Sequence, residues 1–151
     1  MKKLIFILLA MAFFSCSNDD SPKGEDLSHL KTCTGNTNCD DCVIIDKKHY
    51  EATLTDNYMI RDVSVSGDCM EITFAAGGCS GSTWEEELID MGAIAESNPV
   101  QRFLRLRLLD NEDCEAYITK TVSFNIAPLQ VNKDELYLNI DGWEELVLYS
   151  Y

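Results

Sequence analysis

Strict alternation of apolar and polar side chains in Phe103-Leu104-Arg105-Leu106-Arg107-Leu108 constrains the fold of this chain more than any other feature. On an extended strand Leu104, Leu106 and Leu108 share one face and Arg105 and Arg107 the other, because successive side chains point to opposite sides. A helix would scatter the three leucines around its circumference. The segment is therefore a half-buried strand, and its period recurs along the chain. Ala116, Ile118, Val122, Phe124 and Ile126 fall on one face, with Lys120 interrupting the stripe. Leu136, Leu138 and Ile140 repeat the pattern, and Asp141-Gly142 marks a turn before Leu146 to Tyr149. Tyr58 to Val65 and Met70 to Ala75 flank Ser66-Gly67-Asp68-Cys69, which predicts a hairpin. Trp84 to Asp90 is read as strand, although Trp84, Leu88 and Met91 also suit one face of a short helix capped by Ser82 or Thr83. About seven short strands with no long helical period predict an all-β fold, an antiparallel β-sandwich of immunoglobulin-like or related type.

Cysteine usage sharpens that expectation. The chain has seven cysteines, at positions 16, 33, 39, 42, 69, 79 and 114. Setting Cys16 aside leaves Cys33, Cys39, Cys42, Cys69, Cys79 and Cys114, an even set of the kind that staples a small exported domain. Three crowd into residues 33–42 and three are spread through the body, so full pairing requires at least one bridge between the two groups. Cys79 follows one strand and Cys114 precedes another, which predicts a Cys79–Cys114 bridge across the sandwich. Cys69 is then left for the N-terminal cluster, and the remaining two cluster cysteines pair locally.

Cys16 is set aside because residues 1–15 have the parts of a lipoprotein signal peptide. Lys2 and Lys3 form the positive start, Leu4 to Phe14 an apolar run, and Phe13-Phe14-Ser15-Cys16 puts a small residue just before the cysteine. The apolar run is far shorter than the roughly 20 residues a membrane-spanning helix needs. This leader resembles those of bacterial lipoproteins whose cysteine is diacylated on sulfur and becomes the new N-terminus. The box departs from the commonest pattern by carrying Phe13 and Phe14, a looseness similar to that of Bacteroidetes lipoproteins. The polar start Ser17-Asn18-Asp19-Asp20 resembles the export signals of surface-displayed lipoproteins in those bacteria. The resemblance implies lipidation at Cys16, with its palmitate-type chains, and a cell-envelope protein anchored to the outer membrane, possible surface display included. Residues 16–32 have the composition of a flexible tether, with one helical turn conceivable at Asp26-Leu27-Ser28-His29-Leu30. Residues 33–151 then form a single domain that includes the N-terminal cysteine cluster.

A second resemblance covers Gly67 to Tyr151. It is carried by Gly67-Asp68-Cys69-Met70-Glu71-Ile72, Gly77-Gly78-Cys79, Glu96-Ser97-Asn98-Pro99 with Gln101 and Arg102, Cys114-Glu115-Ala116, and the terminal Gly142-Trp143 and Leu148-Tyr149. These segments are similar to small Bacteroidetes lipoproteins of uncharacterised function. They imply a β-rich envelope domain and carry no known active site.

Twelve basic residues against 26 acidic ones give a formal net charge of −14, and loss of Lys2 and Lys3 with the leader makes the mature chain more acidic still. Such a field disfavours nucleic acid and anionic headgroups and favours cationic partners or divalent ions.

Several local patterns invite chemistry. Gly77-Gly78-Cys79-Ser80-Gly81-Ser82 has the glycines of a phosphate cradle, but it is followed by Trp84-Glu85-Glu86-Glu87 where such a loop needs a helix N-terminus and a lysine. Ser80 as a nucleophile would need His29 or His49 as its base. The tight-turn reading is preferred. Cys39-Asp40-Asp41-Cys42 has the spacing of a redox pair, but aspartates beside a thiol oppose the thiolate. Zinc held by Cys33, Cys39, Cys42 and His29 or His49 competes with disulfide formation. Asp110-Asn111-Glu112-Asp113 offers oxygen ligands without the spacing of a calcium loop and is read as a polar turn. Glu85-Glu86-Glu87 and Glu144-Glu145 are read as solvated surface. Trp84, Trp143, Tyr149 and Tyr151 are the aromatics able to stack on a sugar or pack against a peptide, and Trp143, after a turn, is the favoured participant. The expectation is a binding or structural module of the envelope that is not an enzyme, with no cofactor, no metal and no catalytic set, whose partners are the membrane through the lipid anchor and an envelope protein or carbohydrate. A secreted hydrolase and a metal-binding accessory protein are the alternatives.

Overall fold

The computed structural model describes Cys33 and residues 38–151. The leader, Cys16, the tether and the turn considered at Asp26 to Leu30 lie outside the described residues. Nine strands follow in order: β1 (Asp41–Cys42), β2 (Ile44–Ile45), β3 (Tyr58–Ser66), β4 (Cys69–Gly78), β5 (Glu85–Ala95), β6 (Gln101–Leu109), β7 (Ala116–Asn125), β8 (Glu135–Ile140) and β9 (Val147–Ser150). One short helix, α1 (Lys47–Ala52), and a 3-10 turn at Ala127–Leu129 complete the set. The strands form a four-stranded sheet in the order β1-β7-β4-β3 and a five-stranded sheet in the order β2-β5-β6-β8-β9.

The sequence expectation of a β-sandwich holds, with two corrections. There are nine strands rather than about seven, and the sheets are mixed rather than purely antiparallel. β1 pairs parallel to β7, β2 parallel to β5, and β6 parallel to β8. The first two differences have one cause. Asp41 to Ile45 is a single extended segment that adds its first half to one sheet and its second half to the other, crossing at Val43, whose N–H donates to Asn125 O at 3.0 Å. Strands of two residues are too short for a period to register. The third arises because the chain leaves β6, runs through β7 in the opposite sheet, and returns through the 3-10 turn to lie beside β6 in its own direction.

Alternation set the faces as expected. Leu104, Leu106 and Leu108 are buried, and they meet Met70, Ile72 and Phe74 from β4 and Phe124 from β7 within one core. Each such side chain contributes roughly 1.5–3 kcal/mol by leaving water. Leu136, Leu138 and Ile140 extend the core on β8. The hairpin from β3 to β4 pairs Ser66 with Cys69, so its loop is Gly67-Asp68, and Gly67 adopts φ +58°, a value glycine reaches without a Cβ clash. Trp84 to Asp90 is strand rather than helix: Ser82 and Thr83 cap nothing, and β5 begins at Glu85.

Lys120, which interrupts the apolar stripe of β7, spans to the other sheet. Its Nζ lies 2.6 Å from Glu86 Oε1 and donates to Gly81 O at 3.2 Å. Glu86 is only 9% exposed and Glu87 19%, so these two glutamates are not the solvated surface expected of them.

Cysteine pairs stand at disulfide distance between Cys33 and Cys42, Cys39 and Cys69, and Cys79 and Cys114, with Cα separations of 5.7, 5.7 and 4.8 Å. The register places the last two pairs at opposite ends of the sandwich, since Cys69 faces Asn125 at one end of the β4–β7 ladder and Gly78 faces Ala116 at the other.

Candidate functional site

The end bearing Cys79 and Cys114 is organised around Glu112. The glycine-rich loop after β4 directs three successive backbone N–H groups, from Cys79, Ser80 and Gly81, at Glu112 Oε2, at 2.5, 2.8 and 3.0 Å. Thr83 Oγ1 donates to the other carboxylate oxygen at 2.9 Å. These bonds, led by those from Gly81 and Ser80, pull the Glu112 carboxyl down to a pKa of about 2. The loop needs its glycines here. Gly81 has φ +68°, and a Cβ on Gly78 would stand 2.7 Å from the Trp84 ring and 2.8 Å from Glu112 Oε2. So the loop does gather amides around an anion, as a phosphate cradle would, but the chain's own carboxylate fills it. Ser80 Oγ is bonded to Ser82 Oγ at 2.8 Å and lies 3.5 Å from Glu112 Oε1.

The residues around Glu112 are likewise committed to one another. Asp110 Oδ1 accepts from Trp84 Nε1 at 2.9 Å and from Glu112 N at 2.8 Å. Trp84 is buried against Phe74 and both flanking glycines, which removes it as a stacking surface. Among the described residues no group of three or more His, Cys, Asp or Glu is arranged to hold a metal ion. Cys39 and Cys42, the ends of the expected redox spacing, face different partners, Cys69 and Cys33.

At the opposite end Tyr149 serves packing. Its ring is fully buried, its hydroxyl donates to Asp68 Oδ1 at 2.5 Å, and Gln130 Nε2 donates to both. Burial, followed by that bond to a carboxylate, raises the Tyr149 pKa. Tyr151 stacks beside Tyr149 and exchanges hydrogen bonds with the Val131 backbone. A cavity of about 420 Å³ lies at this end between the Ser97 to Val100 turn and Lys133 to Glu135. Cys39 is fastened at this end too, by its pairing with Cys69 at the base of the hairpin.

Sequence reasoning missed a polar group outside the five-stranded sheet. Arg105, on the outer face of β6, lies 4.4 Å from the Tyr50 ring centre, donates through Nε to Asp141 Oδ2 at 2.9 Å, and reaches Tyr50 O at 2.8 Å. Arg107 and His49 converge on Glu87 Oε2, at 2.7 and 3.4 Å. Together they fasten α1 to the sheet. The alternating arginines were visible, but their partners come from α1, the β8–β9 turn and Glu87 of β5, which no local pattern links to them.

Trp143 lines a separate cleft. It follows Gly142, whose φ of +86° turns the chain, and its N–H donates to Ile140 O at 3.0 Å. The half-buried indole packs against the core and, with Ile60 of β3, Glu144 and Glu145, bounds an open space of about 300 Å³. Register places this cleft away from the Cys39–Cys69 end: Ile140 is level with Leu104 on β6, and Ile60 with Phe74 on β4, whereas Glu135 pairs with Ser150 at the Asp68 end. Glu144 and Glu145 are exposed and enter no ion pair among the described residues.

No protein-family model matches the chain, and no curated protein matches it. Among solved structures it is similar to a protein of unknown function, DUF1344, from Bacteroides vulgatus ATCC 8482, at 19% sequence identity and a TM-score of 0.49. The likeness covers 73% of this chain and 56% of that one, so the chain spans little more than half the length of that neighbour.

Proposed function

We propose that this protein is a lipid-anchored module of the bacterial cell envelope, attached to the outer membrane through Cys16, that binds a partner at the Trp143 cleft and performs no chemistry on it. The observation that carries the anchoring is the cysteine pairing. Every cysteine from Cys33 onward has a partner within the folded domain, which leaves Cys16 as the odd thiol at the end of a lipoprotein-type leader. Three bridges also suit a compartment where disulfides persist. Support for binding over catalysis comes from Ser80, bonded to Ser82, and from His49, paired with Glu87; His29, the other base considered, lies outside the described residues.

Two acyl chains suffice for stable membrane attachment where one is marginal. In cell fractionation the wild-type protein is expected in the membrane pellet with an acyl mass on Cys16, and Cys16→Ala is expected to remain an unprocessed precursor without it. Mature wild-type protein found soluble and unacylated overturns the anchoring.

A further inference from the structure

We infer that the Trp143 cleft takes the cationic side chain of a lysine- or arginine-bearing peptide segment, held extended beside β3 where its edge has no hydrogen-bonded strand. This rests on the reading of the cleft as the binding site and names the chemistry of its ligand. Three features of the cleft support it. Its inner walls are Ile60 and the Trp143 indole, which suit an aliphatic stem and an aromatic–cation contact, and its rim carries the carboxylates of Glu144 and Glu145. A space of about 300 Å³ has room for one long side chain with its head at the carboxylates. The rim charges are unspent, while five of the chain's own cations, Lys47, Arg102, Arg105, Arg107 and Lys120, already have carboxylate partners.

The edge beside the cleft favours a peptide over a sugar. β3 pairs on one side only, with β4, and β9 likewise pairs only with β8, so each ends its sheet. An extended segment added beside β3 would gain main-chain hydrogen bonds there, with the cleft serving as the pocket for one of its side chains. The acidic field of the whole chain adds steering: it repels anionic glycans and raises the local concentration of a basic segment. The cleft lies away from the end where Cys39 pairs with Cys69, so a domain anchored through its N-terminal side presents it outward.

The test uses the full mature protein in neutral detergent and three probes: an alternating lysine–valine octapeptide, the same peptide with acetylated lysines, and a neutral hexasaccharide. Titration calorimetry is expected to show saturable 1:1 binding of the lysine peptide alone. Glu144→Gln with Glu145→Gln is expected to weaken it about five- to tenfold, the scale of two rim ion pairs. Glu85→Gln with Glu115→Gln, which neutralises two exposed carboxylates near the Cys79–Cys114 end, is expected to leave it within twofold. Equal loss in both double variants, or no saturable binding of the lysine peptide, overturns the inference. Binding of the hexasaccharide or acetylated peptide that is lost in Trp143→Ala overturns the cationic ligand and leaves the binding site standing. Lysine-peptide binding that persists unchanged in Trp143→Ala overturns the site itself.

Discussion

At the scale of single residues, Glu112 shows how an exposed carboxylate becomes structural. The backbone amides that hold it prefer the ionised form, so its folded pKa lies well below the ordinary carboxylate value. A depressed pKa adds stability that is fully present above the unfolded-state value and disappears as pH falls through the folded one. For Glu112 that window runs from an ordinary value of 4.5 down to about 2. Glu112→Gln keeps an acceptor but loses the charge, so thermal unfolding followed from pH 7 to pH 2 is expected to show a lower midpoint for the variant at pH 7. The gap should close as the pH approaches 2, and a constant gap would remove the charge from the explanation. The glycines of this loop were legible in the sequence, but its anion was not. Glu112 lies 31 residues beyond Gly81, and the nearby Glu85-Glu86-Glu87 suggested repulsion where the fold supplies attraction.

Asp90 and Arg102 form a second pair of residues that no local pattern marked. Arg102 Nε and its terminal nitrogen donate to the two Asp90 oxygens at 3.0 and 2.6 Å, and Asp90 is fully buried. Asp90 Oδ1 also accepts from Gly92 N at 2.7 Å, at the point where the β5–β6 register shifts. Removing one member of a buried pair leaves the other uncompensated, at about 3–5 kcal/mol. Arg102→Met should therefore reduce unfolding stability by that amount in denaturant titration. Asp90→Leu combined with Arg102→Met is expected to cost less than Arg102→Met alone, because no stranded charge remains.

At the scale of elements, strands long enough to show a period were legible and short ones were not. β6 alternates over its whole length, so its inward leucines followed from sequence alone. β1 and β2 are two residues each and owe their existence to backbone pairing with β7 and β5, a partnership set by tertiary position. The segment between β6 and β7 depends on similar long-range ties. Within it Asp110 binds Trp84, Glu112 fills the loop, and Cys114 reaches Cys79. A bridge spanning 35 residues restricts the unfolded chain by about 4 kcal/mol in the loop-entropy account. Replacing both Cys79 and Cys114 by alanine is expected to lower stability by up to that amount in denaturant titration, without a new free thiol. Cys79→Ala alone should expose one, at Cys114.

At the scale of the whole molecule, the described residues form two sheets closed on one apolar core, with the Cys39–Cys69 bridge at one end and the Trp143 cleft set toward the other. The cysteine parity visible in the sequence required a bridge between cluster and body, and Cys39 with Cys69 supplies it. Which cluster cysteine would serve was not legible, because three thiols within ten residues are equivalent until the hairpin base is placed beside one of them. That bridge also decides how the domain carries a load. A pull from the proposed lipid anchor would arrive at the N-terminal segment, whose Cys33 is bridged to Cys42 and whose own pairing with the sheets is through two-residue strands. Cys39 hands the tension by a covalent bond to Cys69, the first residue of β4, which is flanked on both sides by β7 and β3. The proposed anchor would thus pull on the middle of a sheet, where many hydrogen bonds resist together, with β1 held between the Cys33–Cys42 and Cys39–Cys69 bridges.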